Sequence, residues 1–220
     1  MLTLLIAYLA SSAWCAQYPG EQEVFNSSFV AVNAMEPGIL VEMRYFGDNN
    51  FLGRKVAGYS AARCLLTKPA AQALAAVQRD LREFSLSLRV YDCYRPQRAV
   101  DDFVQWAKDL SDARMKKTFY PDVDKKDLFK EGYIAAKSGH SRGSTLDLTI
   151  DGLDMGTAYD YFDKLAHTLN PAIGAVQKAN RALLKLAMEK HGFKNLPDEW
   201  WHFTLKDEPF PGRYFDVPIE

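Results

Sequence analysis

The chain has 220 residues, 48% of them hydrophobic and 25% charged, with 27 basic side chains against 28 acidic ones. This is ordinary globular composition, which excludes a disordered or low-complexity chain, and the length suits one domain with a sizeable core. A formal net charge of -1 leaves no basic excess, which argues against nucleic acid or an anionic membrane surface as partner.

Residues 1–13 (MLTLLIAYLASSA) form an apolar run that ends in small side chains. Its length matches the apolar stretch of a signal peptide and falls short of the roughly 20 apolar residues a membrane-spanning helix needs. The usual positively charged start is missing, since no Lys or Arg precedes Arg44. The expectation is a signal peptide over residues 1–16, cut after Ala13 or Ala16. A domain at 17–220 then remains, secreted or periplasmic and without a stable membrane span. A buried N-terminal helix is the alternative, and the chain would then be cytoplasmic. With the leader removed, Cys64 and Cys93 remain as an even pair in an oxidising compartment, and a disulfide between them is expected. Closing a loop of about 30 residues is worth roughly 3–4 kcal/mol in the chain-entropy description. Two separate buried thiols are the other reading, because sequence does not place two Cα atoms within bonding range.

Residues 17–62 are irregular, apart from a strand expected at 39–43 (ILVEM), and 47–53 (GDNNFLG) carries loop chemistry. Thr67 and Pro69 open a helix, since proline is tolerated in a first turn. Leu74, Val77, Leu81 and Phe84 follow at helical spacing and predict one apolar face. Residues 85–92 (SLSLRVYD) alternate as a strand with Leu86, Leu88 and Val90 on one side. A second helix begins near Gln97 and turns Val100, Phe103, Val104, Ala107 and Leu110 inward. A polar connector spans 111–133. Residues 144–150 predict a further strand, followed by a turn at Asp151-Gly152. A third helix runs from about 173 to 191 and stops at Gly192, a natural C-cap residue. Residues 200–205 (WWHFTL) predict the last strand, with one tryptophan ring in the core and the other bordering a site. Helices and strands mix without strict alternation, which predicts a single α+β domain with a mainly antiparallel sheet.

Of the four histidines, His191 in the last turn of a helix suits the helix dipole and is structural, and His167 has a structural or supporting place. His140 lies among glycines and small residues in Ser138-Gly139-His140-Ser141-Arg142-Gly143, so its imidazole can stand on an open loop. Asp147 lies between Leu146 and Leu148, where a bare carboxylate is costly and a cation would remove the cost. Imidazole nitrogens and a carboxylate oxygen are ordinary zinc ligands, and a catalytic zinc keeps three protein ligands. His202 can complete that set, with Glu199 three residues before it.

The segments SGHSRGSTLD and EWWH together resemble the SxHxxGxAxD and ExxH signatures of the zinc D,D-peptidases of the Peptidase M15 group. Ser138, His140, Gly143 and Asp147 fit the first signature, and Thr145 stands where it has alanine. Tyr94-Arg95-Pro96, Met155-Gly156 through Phe162-Asp163, and the closing DEPFPGRYFDVP segment are similar to elements of the D-alanyl-D-alanine dipeptidase branch. The resemblance covers nearly all of the chain after about residue 40. It implies the zinc D,D-peptidase fold and one zinc ion on His140, Asp147 and His202. It further implies Glu199 as general base and acid on a water, and Arg95 as the cation that stabilises the oxyanion. Asp160 and Ser138 match positions that receive a substrate ammonium, and Tyr45 lines that pocket. The implied substrate is D-alanyl-D-alanine or a related D,D-dipeptide. The alternatives are a D,D-carboxypeptidase acting on peptidoglycan stems and, outside enzymes, a zinc-stabilised binding module. Arg95 also has a plain structural reading, an ion pair with Asp92. Oligomeric state is left open.

Overall fold

The computed structural model describes residues 20–220, so the leader expected at 1–16 lies outside the described residues. The chain opens with α1 (Glu21–Ser28), β1 (Phe29–Ala31), the short α2 (Val32–Met35) and β2 (Leu40–Val41). Next come β3 (Leu65–Thr67), α3 (Lys68–Arg82), β4 (Leu88–Asp92) and α4 (Gln97–Lys108). A single turn of helix, α5 (Lys116–Phe119), lies in the connector before β5 (Thr145–Ile150). The chain then adds α6 (Ala175–Lys190), β6 (Phe193–Asn195) and β7 (His202–Leu205). Among the described residues no helix is long and apolar enough to cross a membrane.

The fold is α+β, as expected. The main sheet has strand order β2-β4-β5-β7-β6, with three antiparallel pairings and one parallel pairing between β2 and β4. A second, two-stranded sheet pairs β1 with β3 antiparallel. Alternation along the strands decides what the sheet buries. Leu88 and Val90 on β4 stand opposite Ile150 and Leu148 on β5, and all four are fully buried. Every residue of β5 is buried, because this central strand is covered on both faces. The amphipathic faces of α3 and α6 supply more of the core, through Leu74, Val77 and Leu81 on the first and Leu184 and Met188 on the second.

Several boundaries differ from the sequence expectation. The strand expected at 39–43 shortens to β2, an edge strand with a single partner. Phe84 does not continue the apolar face of α3. The helix ends at Arg82, Ser85 turns through a φ of 58°, and the Phe84 ring is 75% exposed. Leu110 lies past the end of α4 and is likewise exposed. Trp200 and Trp201 both lie before β7 begins, and both are buried, so neither borders an open site. The two rings meet edge to face, and the Trp200 indole donates to Thr157 Oγ1 at 2.8 Å.

Candidate metal centre

Strand register assembles the centre. Asp92 on β4 stands opposite Asp147 on β5, and Asp147 stands opposite His202 at the start of β7. Three polar residues on three adjacent strands therefore form one row across the sheet, and directly opposed residues share a face. Simple alternation would put Asp92 on the face of Leu88 and Val90. The register shifts between Val90 and Asp92, so Tyr91 is an extra residue, and this bulge turns Asp92 to the side of Asp147.

His140 enters from a 3-10 turn, Gly139–Arg142, that precedes β5. The Ser138 side chain caps this turn by accepting from the His140 N–H at 3.3 Å. Gly143 closes it at φ 83°, with the Phe29 ring packed where a Cβ would stand. The His140 ring is buried, and its Nδ1–H donates to the Cys93 carbonyl at 2.7 Å. That bond leaves the Nε2 lone pair facing Asp147 and His202. Cys93 is joined to Cys64 by a disulfide with a Cα–Cα separation of 5.2 Å. The bridge therefore steadies the carbonyl that orients His140.

His140 Nε2 lies 3.3 Å from Asp147 Oδ1 and 3.3 Å from His202 Nδ1, and His202 Nδ1 lies 3.1 Å from the same Oδ1. The three donor atoms fall within 4.8 Å of one another. Asp147 Oδ1 is buried and is approached by these two imidazole nitrogens, an arrangement that a cation shared by the three atoms would satisfy. Two imidazole nitrogens and one buried carboxylate oxygen are a donor set that fits a divalent metal of zinc type. Burial raises the Asp147 carboxyl, but the charge and hydrogen bonds of His140 and then His202 overrule it and hold the group well below the carboxylate range. Burial pulls the His140 imidazole down, whereas in His202 the bond to Asp147 outweighs burial and moves it up.

A cavity of about 110 Å³ opens on this row, lined among others by Tyr45, Arg95, Asp160 and Glu199, with Phe51, Phe103 and Phe162 as apolar wall. Glu199 Oε2 lies 3.4 Å from His202 Nδ1. Burial pushes its carboxyl up; the nearby His202 opposes this, and Asp147 adds to it. Arg95 makes the ion pair with Asp92 that its structural reading expects. Its Nε donates to Asp92 Oδ2 at 2.8 Å, and its guanidinium still faces the cavity, with Nη2 3.6 Å from Asp147 Oδ2. The Tyr45 and Phe103 rings flank it at 5.1 and 5.0 Å. Asp160, with φ 58°, is held by the Tyr45 hydroxyl, which donates to its Oδ2 at 2.8 Å. Burial and then the Asp147 charge push the Asp160 carboxyl well up.

Ser138, matched by resemblance to the ammonium-receiving positions, caps the turn that carries His140. Its hydroxyl accepts from the His140 N–H and, at 3.5 Å, from Arg95 Nη1. His167 is outside the ligand group, 3.6 Å from Asp198 Oδ1, and His191 pairs with Asp80 on α3 at 2.7 Å. Sequence reasoning missed the residues that hold the centre in place. The Tyr59 hydroxyl donates to Asp92 Oδ1 at 2.6 Å. The Asn195 amide donates to the carbonyls of Glu199 and His202 at 3.1 and 3.0 Å. The buried Arg181 guanidinium donates to the carbonyls of Met155, Leu165 and His167, which fixes the loop that carries Asp160. One signal was available for Asp92, a carboxylate on an apolar strand, the same feature that marked Asp147.

The profile of the Peptidase M15 family, described as D-ala-D-ala dipeptidase, matches residues 26–220. A D-alanyl-D-alanine dipeptidase of Streptomyces coelicolor is 40% identical over 197 residues, covering 87% of this chain and 98% of that protein. A D-alanyl-D-alanine dipeptidase of Enterococcus faecalis is 37% identical over 199 residues, covering 88% and 98%. Among solved structures, the vancomycin resistance D,D-pentapeptidase VanY in complex with Zn(II) matches 76% of this chain and 86% of its own. The likeness has a TM-score of 0.41 at 13% sequence identity.

Proposed function

The chain belongs to the Peptidase M15 family of D-ala-D-ala dipeptidases, and from this premise we propose that it hydrolyses D-alanyl-D-alanine or a related D,D-dipeptide with one zinc ion held by His140, Asp147 and His202. The observation that carries this reading is the convergence of the three donor atoms with Glu199 and Arg95 on one cavity. Zinc in such a site supplies a Lewis acid for the scissile carbonyl and lowers the pKa of water to about 7.

The protein's own groups divide the remaining work. Glu199 stands at the ligand row with its carboxyl raised by burial, so it takes a proton from the attacking water and returns it to the leaving amine. Arg95 stays charged because Asp92 outweighs its burial, and it offers a fixed cation where the carbonyl oxygen gains charge. Asp160 recognises the free ammonium end. An ammonium beside it offsets both burial and the Asp147 charge, whereas the neutral amide of an acylated chain does not. Tyr45 keeps the Asp160 carboxylate aimed, and Ser138 serves through the turn that presents His140. We also propose an exported protein, supported by the apolar leader and by the Cys64–Cys93 disulfide, a bond that persists in oxidising compartments.

The test compares free D-Ala-D-Ala with its N-acetylated form, before and after chelation and zinc return, in the unchanged protein and in Glu199→Ala. Expected are preference for the free dipeptide and recovery of activity with zinc. The variant should keep its metal and lose at least about two powers of ten in kcat, the usual worth of a general base. Preference for the acylated form would mean a D,D-carboxypeptidase, and no hydrolysis in any state would mean a binding module.

A further inference from the structure

The two oxygens of Asp147 have different surroundings. Oδ1 faces the nitrogens of His140 and His202 at 3.3 and 3.1 Å. Oδ2 faces Tyr159, whose hydroxyl donates to it at 3.1 Å, with Arg95 Nη2 farther off at 3.6 Å. An aspartate has a broad χ2 well and little orientational preference of its own, so outer bonds must decide which oxygen meets a metal. Tyr159 suits that task because its ring cannot move aside. The ring is buried, stacks on Tyr91 at 4.8 Å and meets Trp201 edge-on at 5.5 Å. Tyr91 is the bulge residue of β4, so the feature that aims Asp92 also backs Tyr159.

The same hydroxyl lies 3.1 Å from Tyr45 Oη, and Tyr45 donates its own proton to Asp160. Tyr159 has one proton and two acceptors within reach, Asp147 Oδ2 and Tyr45 Oη. Asp147 and Tyr45 therefore compete for the Tyr159 proton, while the Tyr45 proton goes to Asp160.

We propose that Tyr159 is the positioning residue of this centre. It holds Asp147 with Oδ1 toward the metal by donating its single proton to Oδ2, while Tyr45 beside it serves Asp160. The inference rests on the zinc site proposed above and deepens it. Two consequences follow from the proton count. Removing the Tyr159 hydroxyl leaves Oδ2 with Arg95 alone, and metal binding weakens. Removing the Tyr45 hydroxyl frees the Tyr159 proton for Asp147, so metal binding is kept while Asp160 loses its anchor.

The experiment prepares metal-free unchanged protein, Tyr159→Phe, Tyr45→Phe and Asp147→Ala. Each is titrated with zinc against a chromophoric chelator, and kcat and KM are measured on D-Ala-D-Ala. Expected is zinc affinity about 10–100-fold weaker in Tyr159→Phe, the usual loss when an outer partner of a metal ligand is removed. Tyr45→Phe should hold zinc as the unchanged protein does and show its defect in KM. A folded Tyr159→Phe that binds zinc as well as the unchanged protein overturns the inference, as does an equal loss of zinc in both tyrosine variants. If Tyr159→Phe fails to fold, Tyr45→Phe decides: retained zinc affinity supports the inference and a tenfold loss overturns it. Failure of the zinc site itself looks different, since the unchanged protein would then take up no zinc or Asp147→Ala would take up as much.

Discussion

Asp92 shows how much one buried side chain can organise. It is fully buried and takes the Tyr59 hydroxyl on Oδ1 and Arg95 Nε on Oδ2, with His140 Nδ1 3.4 Å from Oδ2. Burial pushes its carboxyl up, and Arg95 and His140 pull the other way. Asp92→Asn leaves the Arg95 charge largely buried without its nearest partner, a change that costs roughly 3 kcal/mol or more. We expect a lower urea midpoint and a kcat that falls further than KM rises, with zinc content kept. An unchanged midpoint and unchanged kcat would remove Asp92 from the centre. Residues of this kind leave little trace in sequence. His140, Asp147, Glu199 and His202 sit in short motifs whose chemistry is local. Tyr59, Asn195 and Arg181 act through partners between 4 and 33 positions away in the chain, and no periodicity records those contacts.

Among the elements, the 3-10 turn before β5 and the bulge in β4 do most to set the geometry. Gly143 lets the turn end in a left-handed conformation directly against Phe29, a contact between the small sheet and the centre. An alanine there would hold its Cβ 2.1 Å from the Phe29 ring, besides adopting φ 83°. The backbone conformation alone costs about 1–3 kcal/mol for a residue other than glycine. Gly143→Ala should therefore lower the thermal midpoint and weaken zinc binding together, because the turn carries His140. A variant with the midpoint of the unchanged protein would show that the turn tolerates a side chain. The helices were well marked by apolar spacing, and α3, α4 and α6 lie close to their expected places. Their ends were less legible. Phe84 and Leu110 continue the apolar pattern but fall beyond the last turn, where no core is left to receive them.

For the whole molecule, the disulfide and the sheet act together. Cys64 lies just before β3 and Cys93 just after β4, so their bond ties the small sheet to the large one behind His140. A disulfide in that place accords with export. Protein isolated from native cells should begin near residue 14 or 17 and carry no free thiol at these two positions. Terminal sequencing with thiol titration checks both, and a chain that retains Met1 would overturn the cleaved leader. The donor chemistry, the order of most helices and strands, and the glycine-rich turn could be taken from the sequence, because each depends on residues close together in the chain. The row formed by Asp92, Asp147 and His202 could not. It joins strands 55 positions apart through pairing and a one-residue bulge, and register across a sheet is decided by which faces bury best once distant strands meet.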